Sequence, residues 1–493
     1  MSQQKIQITK IDLPYSTSHE LFRHVEAQAW SILLDTSNNR LSDGRYDIIV
    51  HSPTFTYEFW ATTGSGKSKV TTYNEHHSLP NVSTQTCPYT ALSILQKAFD
   101  AKVIKDISDE NETLSNLPFK LGAMGLFGYD VNTATDKIRD NSPTQYALPD
   151  IAVGFYEQSL IFDNYTGNIY HCSAVSNTDA WLAPFFRRLP KTPTSFQLMS
   201  SWSSNMSEKS YCAKLAEIDN YLRAGDCYQI NFAQRFNASY YGSEWEAYRL
   251  LSSKNKAPFS AFIRLENAAV LSVSPERFLK VKNRHVETKP IKGTRKRDDD
   301  PNVDQALASE LQASEKDRAE NLMIVDLLRN DLSKHCKPFS VQVPSLFSLE
   351  SYPAVHHLVT TVIGELKEEA SPFELLKGAF PGGSITGAPK VRAMQIIQAL
   401  EPDKRSIYCG SIGYVGIHGD MDTNICIRTV LAETATDGSK QMYCWAGGGI
   451  VLDSKADAEY QETFDKVARI LPVFEQTLGN HTSKKSANKD SFS

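Results

Sequence analysis

Residues 287–297, ETKPIKGTRKR, concentrate three lysines and two arginines in a short segment that also contains a proline and a glycine. The apolar stretch AVLSVSPERFLKV, which is typical of a β-strand, precedes it. Lys292 lies between Pro290 and Gly293, at the predicted end of a strand. The segment is therefore either a basic patch for a polyanion or the setting of one reactive lysine.

The composition of the whole chain argues against a polyanion. The 493 residues carry a net charge of −5, so the protein has no general attraction for nucleic acid. No apolar run is long enough to span a bilayer, and the N-terminus lacks the apolar core of a signal peptide. The eight cysteines form no CxxC pair. We predict a globular cytoplasmic protein without nucleic-acid or membrane partners.

A reactive lysine must lose its proton before it can act as a nucleophile. Desolvation or neighbouring cations lower the pKa of a lysine ammonium, and the basic residues around Lys292 are expected to act in this way. Glu276, in SVSPERF, is an acid that could take part in proton transfer.

Two predicted helices carry paired acids. Asp317 and Glu320 are three residues apart, as are Glu459 and Glu462, so each pair shares one helix face. Two such faces meeting across a cleft would form an oxygen-rich Mg²⁺ site, whereas solvated surface acids are the simpler alternative. The glycine run in WAGGGIVLDS precedes the second helix, and free backbone N–H groups there could hold a carboxylate.

The motifs taken together resemble the chorismate-utilising enzymes, a family that includes anthranilate, aminodeoxychorismate, isochorismate and salicylate synthases. The resemblance lies between about 224 and 470, in AGDCYQINFAQRF, SVSPERF, PIKGTRKR, AENLMIVDLLRNDL, FPGGSITGAPKVRAMQII, GSIGYVG, NICIRT, AGGGIV and ADAEYQET. It implies an α+β fold of two facing, mainly antiparallel β-sheets, with helices packed outside and the active-site cleft beside the sandwich.

The resemblance and the composition also predict an organisation along the chain. Residues 1–190 resemble the N-terminal region of the glutamine-dependent members, and 207–475 would form the chorismate-binding catalytic domain. The Ser- and Pro-rich segment 191–206 is predicted to be a linker, and the polar tail 476–493 to be disordered. Helices are predicted from Ser207 to Gly225 and at 304–332, 372–379, 387–400 and 456–473.

Position 292 distinguishes branches of the family. Anthranilate and isochorismate synthases typically have a small residue there, whereas the lysine of PIKGT is typical of the aminodeoxychorismate synthases. The resemblance implies that Lys292 attacks C2 of chorismate as the C4 hydroxyl leaves. Ammonia then adds at C4 and gives 4-amino-4-deoxychorismate, the precursor of p-aminobenzoate and folate. The alternative is an anthranilate synthase component I, in which ammonia adds directly at C2.

The resemblance assigns roles to the other residues. Glu276 would be the general acid, and His357 would lie near the leaving hydroxyl. Glu320 and Glu462 would bind Mg²⁺ directly, with Asp317 and Glu459 reaching it through water. The residues expected to hold the two substrate carboxylates are Gly293, Thr294, Tyr414, Arg428, Gly447, Gly448 and Gly449.

Two further ligands follow from the resemblance. The family takes ammonia from a separate glutaminase subunit, and this chain contains no glutaminase motif of its own, so a partner protein is implied. Relatives also hold tryptophan between the N-terminal region and the sheet. The matching positions are Thr36, Asp43, Arg45, Tyr46, Pro258, Phe259 and Ser260.

Overall fold

The computed structural model describes the chain except for residues 1–3, 38–43, 74–78, 81, 84–85, 105–113, 115, 140–141, 143–144, 189–194, 353–354 and 479–493. The strands of the described part are β1 (Gln4–Lys5), β2 (Gln7–Ile11), β3 (Ile32–Asp35), β4 (Tyr46–Val50), β5 (Phe55–Thr62), β6 (Ser65–Thr72), β7 (Val103–Ile104), β8 (Gly122–Phe127), β9 (Ile151–Tyr156), β10 (Gln158–Asp163), β11 (Ile169–Ser173), β12 (Phe196–Leu198), β13 (Ser203–Ser204), β14 (Gln229–Gly242), β15 (Phe259–Arg264), β16 (Ala268–Ser274), β17 (Arg277–Lys282), β18 (His285–Thr288), β19 (Ile291–Lys296), β20 (Gln342–Ser351), β21 (Val355–Glu365), β22 (Gly387–Ala388), β23 (Ser411–Gly416), β24 (Met421–Asn424), β25 (Thr429–Thr434) and β26 (Lys440–Ile450). The helices are α1 (Ser18–Phe22), α2 (Pro88–Asp100), α3 (Asn132–Thr135), α4 (Asp179–Leu182), α5 (Glu208–Arg223), α6 (Glu244–Asn255), α7 (Pro301–Ala313), α8 (Glu315–Ser333), α9 (Pro372–Ala379), α10 (Lys390–Leu400), α11 (Ala456–Val467) and α12 (Leu471–Glu475).

Two large antiparallel sheets form the body of the protein, which confirms the predicted α+β fold. The larger runs β12-β14-β26-β25-β16-β15-β3-β4-β10-β11-β2, and β13 and β22 also pair with β14. The smaller runs β19-β21-β18-β17-β24-β23-β8-β9-β5-β6, and β20 also pairs with β21. One apolar core combines buried side chains of both sheets, such as Val270 of the larger with Tyr57 and Ile412 of the smaller. The sheets therefore face each other across this core.

The N-terminal and C-terminal parts of the chain share both sheets. In the smaller sheet β8 pairs with β23, and in the larger sheet β3 pairs with β15. The described part of the predicted linker contains two strands, because β12 and β13 both pair with β14. Phe196 and Leu198 of β12 are buried, so their apolar side chains explain why this segment does not behave as a linker.

Local helix signals act largely as predicted. Ser207 caps α5 by accepting a hydrogen bond from Ser210 N at 3.3 Å. The apolar stripe of this helix, formed by Tyr211, Leu215, Ile218 and Leu222, is buried. The predicted single helix at 304–332 is instead two helices, because Ser314 ends α7 and caps α8 by accepting from Asp317 N at 3.2 Å. The prediction at 456–473 likewise divides into α11 and α12.

Two further predictions concern the C-terminal tail and the absence of a membrane-spanning segment. The predicted disordered tail lies outside the described residues beyond Leu478. Among the helices that the structure describes, none has both the length and the apolar composition needed to cross a membrane.

A buried arginine joins the larger sheet to the segment before α10. The side chain of Arg405 is 1% exposed, and its Nη2 donates to Glu401 Oε1 and to Asn231 O, both at 2.7 Å. Its Nη1 donates to Ile385 O at 3.0 Å. Because these bonds satisfy a charged pair away from water, removing one partner would leave the other as an uncompensated buried charge.

Replacing Arg405 therefore tests this junction. We expect Arg405→Met to lower the free energy of unfolding by about 3–5 kcal/mol, measured by urea denaturation, because Glu401 loses its counter-charge. The matched control is Arg223→Met, which removes an equally spaced but exposed pair with Asp219 and should cost less than about 1 kcal/mol. Equal losses in the two variants would contradict the assigned role of Arg405.

Candidate active site

A cavity of about 910 Å³ opens beside the sandwich, where β14 and β26 of the larger sheet approach β19 and the helices α8 and α11. It gathers residues that are far apart in the sequence. The predicted site residues that line it are Glu276, Lys292, Gly293, Thr294, Asp317, Glu320, His357, Arg428, Gly447, Gly449, Glu459 and Glu462.

Lys292 extends from β19 into this cavity. Its Nζ donates to Glu320 Oε1 at 2.8 Å and to Ser384 O at 3.3 Å, and its side chain is 15% exposed. Glu320 lies on α8, and Ser384 lies in the 3-10 helix Gly383–Ile385 before α10. Two elements from different parts of the chain therefore hold the amine at the cavity wall.

Glu276 lies between β16 and β17, and its carboxyl is buried beside Lys292. Burial raises its pKa to about 7, against the opposing effect of the Lys292 ammonium and a hydrogen bond from Ser384 Oγ at 3.4 Å. Ser274 Oγ accepts from Glu276 N and donates to Ile425 O, which holds the backbone in place. A carboxyl with this pKa can carry a proton at neutral pH and release it.

His357 and Arg428 are two nitrogen-bearing side chains in the cavity wall. Burial, and then the charge of Arg428, lower the pKa of His357 to about 4, so its imidazole is neutral at pH 7. His357 Nδ1 lies 2.9 Å from Thr294 Oγ1. Among the described residues Arg428 has no ion-pair partner, which leaves its guanidinium available to an anion.

The two acid pairs face the cavity from α8 and α11. A side-chain carbon at Gly448 would lie 3.0 Å from Glu459 Oε2 and 3.4 Å from Glu462 Oε1, and one at Gly449 would lie 3.4 Å from Glu320 Oε1. Carboxylates of the two helices therefore approach adjacent points of β26.

The acid pairs have the oxygen donors of a Mg²⁺ site, but two of them contact ammonium groups in this structure. Within the described part of the chain, no three His, Cys, Asp or Glu side chains stand together as a ready-made metal site. Each predicted main ligand instead accepts from an ammonium group, Glu320 from Lys292 at 2.8 Å and Glu462 from Lys466 at 2.7 Å. The oxygen-only donor set suits Mg²⁺, and a cation there would compete with the two lysines.

The glycine run differs from the prediction. Gly447, Gly448 and Gly449 lie within β26 opposite β14, so they form part of a strand and not a turn. Their role is spatial, because a side chain at Gly447 would stand 2.3 Å from Phe232 O and one at Gly449 would stand 2.3 Å from Gln229 Nε2.

Tyr414 was predicted to hold a substrate carboxylate, but it lies elsewhere. It is buried in β23, and its ring packs 5.2 Å from that of Phe119. Tyr408, in the same YCGSIGY motif, lines the cavity instead. Other lining residues that the sequence did not suggest are Gln229, Asn231, Lys316, Ser384, Trp445 and Lys466.

Three other basic residues of the opening segment, Lys289, Arg295 and Arg297, are paired with acids. Arg295 Nε donates to Glu310 at 2.9 Å, and Arg297 Nη2 pairs with Asp304 at 2.8 Å. Lys289 Nζ pairs with Glu350 Oε1 at 3.2 Å. Carboxylates of α7 and β20 therefore balance these charges, and only Lys292 of the three lysines enters the cavity.

Comparisons with known proteins show the family of the chain. The family model for chorismate binding enzymes matches residues 25–472. The chain belongs to the chorismate-binding enzymes.

Relatives at high coverage include two proteins named aminodeoxychorismate synthase component 1. The one from Salmonella typhimurium is 46% identical over 95% of this chain and 98% of the relative, and the one from Escherichia coli is 45% identical over 92% and 95%. Among solved structures, anthranilate synthase component I from Streptococcus pneumoniae is 29% identical, with a TM-score of 0.67 over 87% of this chain and 92% of that chain.

A second cavity of this chorismate-binding enzyme, of about 590 Å³, lies between the N-terminal strands and the smaller sheet. Asp43 lies outside the described residues. The other residues of the predicted tryptophan pocket all line this cavity, namely Thr36, Arg45, Tyr46, Pro258, Phe259 and Ser260. Tyr414 lines it too.

The raised pKa of Glu276 has a measurable consequence for stability. The folded-state pKa of about 7 exceeds the value of about 4.3 for an unfolded glutamate, so ionisation costs the native state stability as pH rises between these values. We expect the free energy of unfolding of Glu276→Gln to equal that of the wild type near pH 4 and to exceed it by about 3 kcal/mol at pH 8. The thermal midpoint, measured at both pH values, checks this difference. Glu217→Gln, at an exposed site on α5, is the control. A difference independent of pH would contradict the assignment.

Proposed function

We propose that this chorismate-binding enzyme aminates chorismate at C4 and forms 4-amino-4-deoxychorismate. The observation that carries the proposal is a lysine at position 292 whose amine enters the cavity beside a carboxyl with a pKa of about 7. The relatives named aminodeoxychorismate synthase component 1, at 45–46% identity, support it.

In the first step the amine of Lys292 bonds to C2 of the ring. The ring double bonds shift, the C4 hydroxyl leaves as water with a proton from Glu276, and the proton that the attacking nitrogen loses passes to Glu276. The buried carboxyl is suited to this work because it is partly protonated at neutral pH. His357 remains neutral and can hydrogen-bond the departing oxygen without adding charge.

In the second step ammonia bonds to C4, the double bonds shift back, and the bond between C2 and Lys292 breaks. The proton that the new ammonium loses is the one that the departing lysine gains. Because Lys292 occupies C2 first, nitrogen is directed to C4, so one side chain decides the position of amination.

Substrate binding is assigned to charged and small residues around the lysine. Arg428, which has no ion-pair partner among the described residues, suits bidentate binding of one carboxylate. Gly293 and Thr294 of β19 also line the cavity. Mg²⁺, when bound by the acid pairs of α8 and α11, would offset the charge of the other carboxylate.

The enzyme is also proposed to have a protein partner and small-molecule ligands. The designation of the relatives as component 1 implies a second component, and a glutaminase that supplies ammonia would serve the second step. Chorismate is the small-molecule substrate, the cytoplasm is the proposed location, and tryptophan is the proposed ligand of the 590 Å³ cavity.

Lys292→Ala tests the covalent route. With chorismate, Mg²⁺ and an ammonium salt, we expect formation of 4-amino-4-deoxychorismate to fall by roughly three orders of magnitude or more, because the nucleophile is lost. Chromatography with mass detection identifies the product. Lys289→Ala is the matched control, since Lys289 pairs with Glu350 and should leave the rate unchanged.

The same assay separates the two candidate functions. A Lys292→Ala variant with the wild-type rate and product would reject the covalent route. Anthranilate as the product of the wild-type chain would favour an anthranilate synthase instead, because nitrogen would then have entered at C2.

The metal assignment is tested by Glu320→Gln and Glu462→Gln. Each removes one negative oxygen donor, so we expect the dissociation constant for Mg²⁺, measured by calorimetry in the presence of chorismate, to rise by more than about tenfold. Glu310→Gln, an exposed acid of α7 paired with Arg295, is the control and should bind Mg²⁺ normally. Unchanged binding in the first two variants would reject these ligands.

A further inference from the structure

The lysine at the start of α10 forms a buried ion pair with α8. Lys390 is the first residue of α10, and its side chain is 15% exposed. Its Nζ donates to Oδ2 of Asp331, in α8, at 2.6 Å, and the Asp331 side chain is 3% exposed. A second bond runs from Lys390 Nζ to Ala379 O, the last carbonyl of α9, at 2.8 Å. One ammonium group therefore joins three helices.

These bonds tie together the two ends of a buried segment. Residues 380–389 connect α9 to α10, so Ala379 immediately precedes the segment and Lys390 immediately follows it. Residues 380–388 are buried. The bond to Ala379 O also satisfies one of the carbonyls that a helix leaves unpaired at its C-terminus. The span of the segment is therefore fixed by a side chain at its own end.

The segment presents Ser384 to both proposed catalytic groups. Ser384 O accepts from Lys292 Nζ at 3.3 Å, and Ser384 Oγ donates to Glu276 Oε1 at 3.4 Å. Both distances are near the upper limit for a hydrogen bond, so a small displacement of the segment would break them. The placement of Ser384 thus decides whether these two contacts exist.

One face of α8 holds both Lys292 and the segment. Glu320, whose Oε1 accepts from Lys292 Nζ at 2.8 Å, lies eleven residues before Asp331. This separation is about three helical turns, or about 16 Å, and returns to the same face. Leu327 lies between them on that face, and a side-chain carbon at Gly383 would stand 3.2 Å from its Cβ. α8 and the segment are therefore joined at two levels, by Lys292 and by the buried ion pair.

We propose that Lys390 and Asp331 position the segment for the first step of the reaction, an inference that rests on the proposed function. The pair fixes the segment against α8, and Ser384 then orients the Lys292 amine and keeps Glu276 in place. Neither Lys390 nor Asp331 lines the cavity, so both act through Ser384 and not on the substrate itself. Because orientation of the reacting groups lowers the barrier of the chemical step, loss of the pair should lower kcat more than it raises KM.

A second cation on Asp331 provides an internal comparison. Asp331 Oδ1 accepts from Lys334 Nζ at 2.9 Å, and the Lys334 side chain is half-exposed. This bond lies at one end of a single helix, so it joins no second element. Removing Lys334 therefore leaves the bond from Asp331 to Lys390 intact, whereas removing Lys390 separates α8 from the end of the segment.

Lys390→Met tests the proposal in the full-length chain, with chorismate, Mg²⁺ and an ammonium salt. We expect kcat to fall by about tenfold or more while the KM for chorismate changes by less than about threefold. With saturating chorismate and no ammonia, the covalent adduct on Lys292, measured by intact-protein mass, should form more slowly by the same factor.

Asp331→Asn is the second variant and carries the test if Lys390→Met does not fold. It keeps the shape of the side chain but removes its charge, so we expect kcat and the rate of adduct formation to fall by about threefold or more. The double variant should be no slower than Lys390→Met alone, because both substitutions remove the same contact.

Two control variants separate positioning from stability. Lys334→Met should keep kcat within about twofold of the wild type, because it removes only the exposed partner of Asp331. Leu160→Ala removes a fully buried side chain of β10 in a different apolar cluster. It should lower the urea midpoint without lowering the kcat of the folded protein.

The possible outcomes separate the inference from the proposed function. Wild-type kcat and adduct rates in Lys390→Met and Asp331→Asn would overturn the inference, and so would an equal loss of kcat in Leu160→Ala. A raised KM with unchanged kcat would assign the pair to substrate binding and would overturn it too. Failure of the proposed function appears in the wild type itself, which would then form no adduct on Lys292 or would give anthranilate; the inference would be rejected with it.

Discussion

The antiparallel pairing of β14 with β26 is the contact on which the cavity depends. It sets Gly447 opposite Ala233 and Gly449 opposite Asn231. Because a side-chain carbon at Gly447 would stand 2.3 Å from the backbone oxygen of Phe232 in β14, only glycine permits this approach. The pairing thereby leaves open space above the sheet, and α11 follows β26 closely enough to bring Glu459 and Glu462 back over it.

Charge balance then organises the space that the glycines leave. Glu320 and Glu462 each accept from a lysine ammonium at 2.7–2.8 Å, so one acid of each helix is paired with a cation of the same chain. Burial, together with the neighbouring Glu462, raises the pKa of Glu459, although a hydrogen bond from Ser454 opposes the shift. The cavity therefore brings carboxylates and cationic side chains together. This arrangement suits the proposed binding of a dianionic substrate and a divalent cation.

Much of the site was accessible from the sequence because its parts have local signatures. Acids three residues apart share a helix face, and Glu276 follows a recognisable strand, whereas Lys292, expected at the end of a strand, is the second residue of β19. The misplaced tyrosine shows the limit of such signatures. Tyr408 and Tyr414 lie in one motif, and the sequence does not show which of them lines the active-site cavity. The pairing of β23 with β8 places Tyr414 against Phe119 and in the second cavity.

Local sequence was sufficient wherever a few neighbouring residues set the backbone, as in the cap at Ser207 and the apolar stripe of α5. Contacts between distant segments decided the rest. The predicted linker became sheet because the buried side chains of β12 pack against the protein core, and the glycine run became strand because β14 supplies its hydrogen bonds. For the same reason, the sequence could not show that Gln229 Oε1 and Nε2 and Asn231 Oδ1 are buried without a hydrogen-bond partner among the described residues. A polar residue on a strand has the same local signature whether or not a partner lies beyond it, and burial depends on the whole fold.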